Sequence, residues 1–159
     1  MKNRLLLRQL GTNDAKGCNW DHTPDGVQGR GDLFKDDYQD LIARLKRLPT
    51  APKVYVVLPP PLYPWTVADG IPLYPYNMSA HAINVEFPKL QREVADASRA
   101  DGLIDVWSAM MALGGANVSR GPIVDGAPLT CDGCHPKDAG LTIIAETIAQ
   151  AIRNDAAKL

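Results

Sequence analysis

The stretch Lys53-Val54-Tyr55-Val56-Val57-Leu58 constrains this chain more than any other. It is β-branched, apolar on both faces, and closed by Pro59, Pro60 and Pro61, which cannot extend a hydrogen-bonded ladder. A strand apolar on both faces needs cover on both, and a parallel sheet between helical layers supplies it. The residues before it agree. Asp32 offers an N-cap, Leu33, Phe34, Tyr38, Leu41, Ile42, Leu45 and Leu48 recur at helical spacing, and Pro49 stops the pattern. The charges over 35–47 fall on the solvated face of that helix.

The same reading extends along the chain. Leu5 to Leu10 is a short apolar run that reads as a buried strand, although Arg8 and Gln9 fit poorly within one, and Gly11-Thr12-Asn13-Asp14 ends it. A broken helix is expected from Ala80 to Ala100, restarted at Pro88 in a first-turn position. Gly102 to Val106 reads as a third strand, and Ala139 to Ala157 as a last helix with Ile143, Ile144, Ile148 and Ile152 on its apolar face. The β-α-β-α-β-α order predicts a doubly wound, parallel α/β sheet with right-handed crossovers. Residues 17–31 and 62–80 read as loops, the second an aperiodic one holding Tyr63, Trp65, Tyr74 and Tyr76.

Composition narrows the function classes. With 17 Lys+Arg against 18 Asp+Glu in 159 residues, the chain has no basic excess to hold a phosphate backbone, so nucleic-acid binding by bulk charge is not expected. No apolar run is long enough to span a bilayer, and Lys2 and Arg4 leading into Leu5-Leu6-Leu7-Arg8 do not read as a secretory signal, so no membrane partner is expected and no compartment is assigned. Cys18, Cys131 and Cys134 are too few for a disulfide scaffold.

In sheets of this kind ligands gather beyond the carboxyl ends of the strands. Two motifs fall there. Gly11-Thr12-Asn13-Asp14 follows the first strand, and Asp132-Gly133-Cys134-His135-Pro136 precedes the last helix. An Asp three residues before a His can hold one imidazole nitrogen and leave the other to act as a base. An Asn at a strand end can aim its amide N–H at a developing oxyanion. Each motif also has a plain structural reading, an Asx-turn at Asn13 and Asp14 and a loop-stabilising bond between Asp132 and His135. Cys131-Asp132-Gly133-Cys134-His135 matches the haem-attachment spacing, but the α/β pattern argues against haem. A zinc site from Cys131, Cys134 and His135 lacks a convincing fourth ligand, with His22 or His81 distant alternatives; the two cysteines otherwise read as a strained disulfide or as free thiols. The aromatic loop suits either sugar stacking or packing onto the domain.

Leu10-Gly11-Thr12-Asn13-Asp14-Ala15-Lys16, with Asn19-Trp20 close behind, resembles the third conserved block of the SGNH (GDSL-type) hydrolases, and Asp132-Gly133-Cys134-His135-Pro136 resembles their last block. Phe34, Tyr38, Leu41 and Ile42, then Pro52-Lys53-Val54-Tyr55 through Pro61, are similar to the carbohydrate-esterase-like branch, which includes sialate O-acetylesterase-like members. The resemblance runs from about Leu5 to about Ile152. It implies a three-layer α/β/α, flavodoxin-like SGNH fold and a serine esterase acting on carboxylic esters, O-acetylated carbohydrate or a small-molecule ester. Carried over by position, His135 is the general base, Asp132 orients it, Asn13 is an oxyanion donor, and Gly11 and Asp14 shape the supporting turn. Tyr63, Trp65, Tyr74 and Tyr76 are candidate substrate-loop residues. No metal or cofactor is implied.

The chain departs from the family by lacking two of its blocks. The Gly-Asp-Ser block that carries the nucleophile is absent, as is the second block, and Ser79, Ser98, Ser108 and Ser119 lack its context. Trp107-Ser108-Ala109 reads as a helix start. The expectation is that residues 1–159 form the C-terminal portion of a single SGNH domain, short by at least one β-α-β unit of about 30 residues. Such a chain is expected to be inactive alone, and to self-associate through an exposed sheet edge. The competing expectation is a degenerate esterase that at most binds a glycan.

Overall fold

The computed structural model describes residues 5–16, 31–64, 66–69, 71–113 and 129–157. Three strands, β1 (Leu5–Arg8), β2 (Lys53–Leu58) and a later strand at Gly102–Asp105, form a parallel sheet with β2 at its centre. Leu6 pairs with Val54 and Val57 with Ile104, so β2 is bonded on both edges. Its residues from Val54 to Leu58 are all buried, as a strand apolar on both faces demands.

Helix α1 (Gly31–Lys46) precedes β2, and α2 (Phe87–Ala97) precedes the Gly102–Asp105 strand. These two helices cover one face, where Tyr38, Ile42, Val94 and Ala95 enclose Val54 and Val56. Helices α3 (Val106–Leu113) and α4 (Asp138–Ala156) cover the other, where Met110, Ile143, Ile144 and Ile148 pack on Tyr55, Val57 and Ile104. The alternation of β2 side chains thus joins two cores into three layers, the α/β/α arrangement expected. A third cluster of Ala15, Leu62, Met78, Ala82, Ile83 and Phe87 lies under the loops at the carboxyl end of the sheet.

Three details differ from the sequence reading. The first strand is not buried: Leu5 and Leu7 are each 36 % exposed, because among the described residues β1 pairs only with β2, while α3 and α4 lie over β2 and the Gly102–Asp105 strand. Residues 62–80 are not structureless, since β3 (Thr66–Ala68) and β4 (Ile71–Leu73) form an antiparallel hairpin, which makes the Gly102–Asp105 strand β5. Asp69-Gly70 is the dipeptide that tight hairpin turns favour, and Asp69 has a φ of 51°. Pro88 does stand in the first turn of α2 as expected, but the break before it is a π-turn at Ala82–Glu86 that runs on into α2 and not a gap in the helix. Pro88 has no N–H to give the preceding turn, and the widened turn accommodates it.

The short helix expected at Ser108 is present, its N-terminus held by Asp105, whose carboxylate accepts the Ser108 backbone N–H at 2.8 Å and its hydroxyl at 2.8 Å. Among the described residues no helix is long and apolar enough to cross a membrane.

Candidate active site

The turn after β1 is built around Gly11, whose φ of +116° is open to glycine and strained for other residues. A Cβ there would also press within 3.1 Å of the Phe87 ring, 3.2 Å of Gln91 Nε2 and 3.3 Å of the Phe34 ring. From α2, the buried Gln91 reaches up and donates Nε2 to the Leu10 carbonyl at 2.7 Å. The Ala15 N–H bonds the Gly11 carbonyl at 3.1 Å, so residues 11–15 close into one helical turn with Asn13 on it. Asp14 lies on the same turn, and its carboxyl is raised above the ordinary carboxylate value, chiefly by burial.

The turn is tied to the next loop. Lys16 and Met78 form an antiparallel bridge, and the Ser79 N–H donates to the Ala15 carbonyl at 2.7 Å. The proline loop after β2 is held by Asn84, from the π-turn, which bonds the Leu62 N–H at 2.8 Å and the Leu62 carbonyl at 2.7 Å.

The Asp132–His135 loop is a small closed unit. A bridge joins Thr130 to Pro136, and the Cys131 N–H donates to the His135 carbonyl at 2.9 Å. Gly133 has a φ of +85°, and its carbonyl accepts the Tyr63 N–H at 2.9 Å, fastening this loop to the proline loop. Cys134 packs on the apolar cluster below.

Within this frame the Asp132 carboxylate accepts four hydrogen bonds. Oδ1 takes the backbone N–H of Cys134 at 2.9 Å and of His135 at 2.7 Å. Oδ2 takes His135 Nδ1–H at 2.6 Å and the Tyr76 hydroxyl at 2.7 Å. Partial burial opposes ionisation, but the donors from His135, Tyr76 and Cys134 outweigh it and hold the carboxyl well below its usual range. An ionised Asp132 accepts only, so the proton lies on His135 Nδ1 and Nε2 is left with a free lone pair.

His135 and Asn13 line one cavity of about 360 Å³, with Pro61, Leu62, Met78 and Ile144 forming its apolar wall. The structure therefore brings together His135, Asp132 and Asn13. Of the described aromatic candidates, it brings only Tyr76 to the pair. Tyr63 is 3 % exposed and donates its hydroxyl to the Met110 carbonyl at 3.2 Å, and Tyr74 packs against the cluster beneath the loops. Trp65, with Asn19, Trp20, Cys18, His22 and Ser119, lies outside the described residues.

None of the described serines lines the cavity. The Ser79 hydroxyl accepts the Ala82 N–H at 3.1 Å, and Ser108 is held by Asp105. Cys134 does line the cavity, but burial and the adjacent Asp132 carboxylate push its thiol up, away from the thiolate that a nucleophile requires. Cys131 and Cys134 are free thiols. Among the described residues no group of three or more His, Cys, Asp or Glu side chains is arranged to hold a metal ion.

Gln91 and Asn84 are the supporting residues that sequence reasoning missed. Each is a carboxamide on a helix whose neighbours in the pattern are apolar, and its only signal is that polar interruption.

An Asp–His pair thus lies beyond the carboxyl edge of an α/β/α sheet. The family model for GDSL-like lipases and acylhydrolases matches residues 1–148, and the chain belongs to that family. It is 26 % identical over 160 residues to an acetylxylan esterase of Xylanibacter ruminicola, an alignment covering 94 % of this chain and 28 % of that protein. A protein of Parabacteroides merdae described as a GDSL-like lipase shares the fold, with a TM-score of 0.57 at 20 % identity over 92 % of this chain and 59 % of that one. The chain thus spans less than two thirds of the length of either relative.

Proposed function

We propose that this chain supplies the acid–base part of a serine esterase that removes O-acetyl groups from carbohydrate. The observation that carries the reading is the 2.6 Å contact between His135 Nδ1 and Asp132, in a loop that shares a cavity with Asn13. His135 Nε2 takes the proton of a serine hydroxyl as that oxygen attacks the ester carbonyl. Asp132 holds the tautomer and stabilises the imidazolium that forms. Asn13 donates to the oxyanion of the tetrahedral intermediate. The imidazolium then returns its proton to the leaving alcohol, and water repeats the cycle on the acyl-enzyme. The similarity to an acetylxylan esterase supports acetylated xylan as the substrate class.

In this reading the serine is supplied by a Gly-Asp-Ser segment outside the 159 residues, since these contain no Gly-Asp-Ser and none of the described serines lines the cavity. The test is hydrolysis of p-nitrophenyl acetate and acetylated xylan by the chain alone and by a longer form carrying such a segment. The chain alone is expected to be inert. The longer form is expected to turn over both esters and to lose that activity in His135→Ala and in the Ser→Ala variant. Turnover by the 159-residue chain that disappears in His135→Ala overturns the external serine. An inert longer form that still binds acetylated xylan supports instead a glycan-binding module derived from an esterase.

A further inference from the structure

Tyr76 has no part in the mechanism above, yet its backbone is held in an uncommon state. Its φ is 58° and that of Asn77 is 53°, a left-handed pair within the short helical turn Pro75–Asn77. Residues with a β-carbon adopt this conformation at a cost and keep it only where surrounding structure enforces it. Core packing does not account for it here, because Tyr76 is 53 % exposed. The ring meets two groups. Its hydroxyl donates to Asp132 Oδ2 at 2.7 Å, and its edge stands against the His135 imidazole, with centroids 5.4 Å apart and planes at 81°.

His135 needs such a neighbour. Its side chain is 63 % exposed, and a ring held only through Nδ1 can still swing about that bond. Asp132 Oδ1 is already committed to two backbone N–H groups, so Oδ2 is the one oxygen that His135 and Tyr76 share. The chain fixes the approach of Tyr76 directly afterwards, through the Met78–Lys16 bridge and the bond from Ser79 to Ala15.

We propose that Tyr76 is a positioning residue for the general base, fixing the orientation of the His135 imidazole by ring contact and by its bond to the shared Asp132 oxygen, and so keeping Nδ1 on the carboxylate that holds the tautomer. This rests on the reading of Asp132 and His135 as an acid–base pair. The bond to Asp132 raises the Tyr76 phenol above its ordinary value, so the hydroxyl remains a donor throughout the range in which the pair works.

The test uses the 159-residue chain with ¹⁵N-labelled histidine, whose ring nitrogens are read through the carbon-bound ring protons at mildly alkaline pH. His22 and His81 are assigned by substitution. In the parent, His135 is expected to show the Nδ1–H tautomer, and Asp132→Asn is expected to disturb it. Tyr76→Ala is expected to lose the single tautomer and give an exchanging mixture. Tyr76→Phe, which keeps the ring, is expected to keep the tautomer with a shifted Nδ1 resonance, since Oδ2 has lost its second donor. Amide resonances outside residues 62–80 check that each variant keeps the fold, and the near-isosteric Phe variant carries the test if Ala does not. Parent-like His135 nitrogens in the folded Tyr76 variants overturn the proposal while leaving the Asp132–His135 pair intact. A parent with no preference for Nδ1–H, or one unaffected by Asp132→Asn, overturns the pair and the proposal with it.

Discussion

Asp132 holds both ends of His135: Oδ1 accepts its backbone N–H at 2.7 Å and Oδ2 its ring Nδ1–H at 2.6 Å. A single carboxylate therefore sets the main-chain turn and the imidazole together. An exposed histidine three residues along a loop is thereby tied at its main chain and at Nδ1, and the swing of the ring about that bond is left to the Tyr76 contact.

The same carboxylate makes the loop acid-sensitive. Its folded pKa lies below the ordinary value of 3.8, so its contribution to stability is fully present above that value and is lost as pH falls through the folded one. Asp132→Asn removes this dependence. Urea melts at pH 7, 4 and 2.5 are expected to show the parent more stable than Asp132→Asn at pH 7, with the gap closing below pH 4. A gap that is constant across the three conditions contradicts the four-donor carboxylate.

Gly133→Ala tests the joint between the two site loops. A Cβ there would sit 2.3 Å from the Tyr63 carbonyl oxygen, at a φ of +85° that alanine tolerates poorly. Strain of this kind costs about 1–3 kcal/mol. For a domain of this size each kcal/mol lowers the melting temperature by about 2–4 °C. Calorimetry is expected to show a drop of that order, and a variant that melts with the parent removes the claim that Gly133 is a constrained position.

The exposed margin of β1 predicts self-association. Leu5 and Leu7 lie on the strand that, among the described residues, pairs only with β2, and unpaired apolar edges recruit further strands. Sedimentation velocity is expected to show concentration-dependent growth in the parent. Leu7→Lys, which puts a charge on that margin, is expected to sediment as a smaller species. Equal behaviour of the two locates any association elsewhere.

The parts of this fold that depend on burial were legible in the sequence. Val54 to Leu58 is apolar on both faces and is the fully buried central strand, and α4 begins within one residue of its expected start. Leu5 to Leu10 was misread because apolar composition does not distinguish a central strand from one at a sheet margin. At the candidate site, the Asp132–His135 contact was legible in the three-residue spacing, and the structure brings Asn13 to the cavity that His135 lines. Gln91 and Asn84 were not legible, since each does its work by bonding main-chain atoms of Leu10 and Leu62, which no sequence pattern marks. Tyr76 was singled out with the other aromatics of its loop, but its bond to Asp132 depends on left-handed backbone that a tyrosine codon does not announce.

The segment from Tyr63 to Ser79 is fastened at one end to Gly133 and at the other to Ala15, in both cases by main-chain bonds. The hairpin between these anchors projects outward, with Ile71 63 % exposed. Replacements within the hairpin leave these main-chain anchors in place, so the span between them can lengthen, shorten or change composition while the Asp–His loop stays where it is.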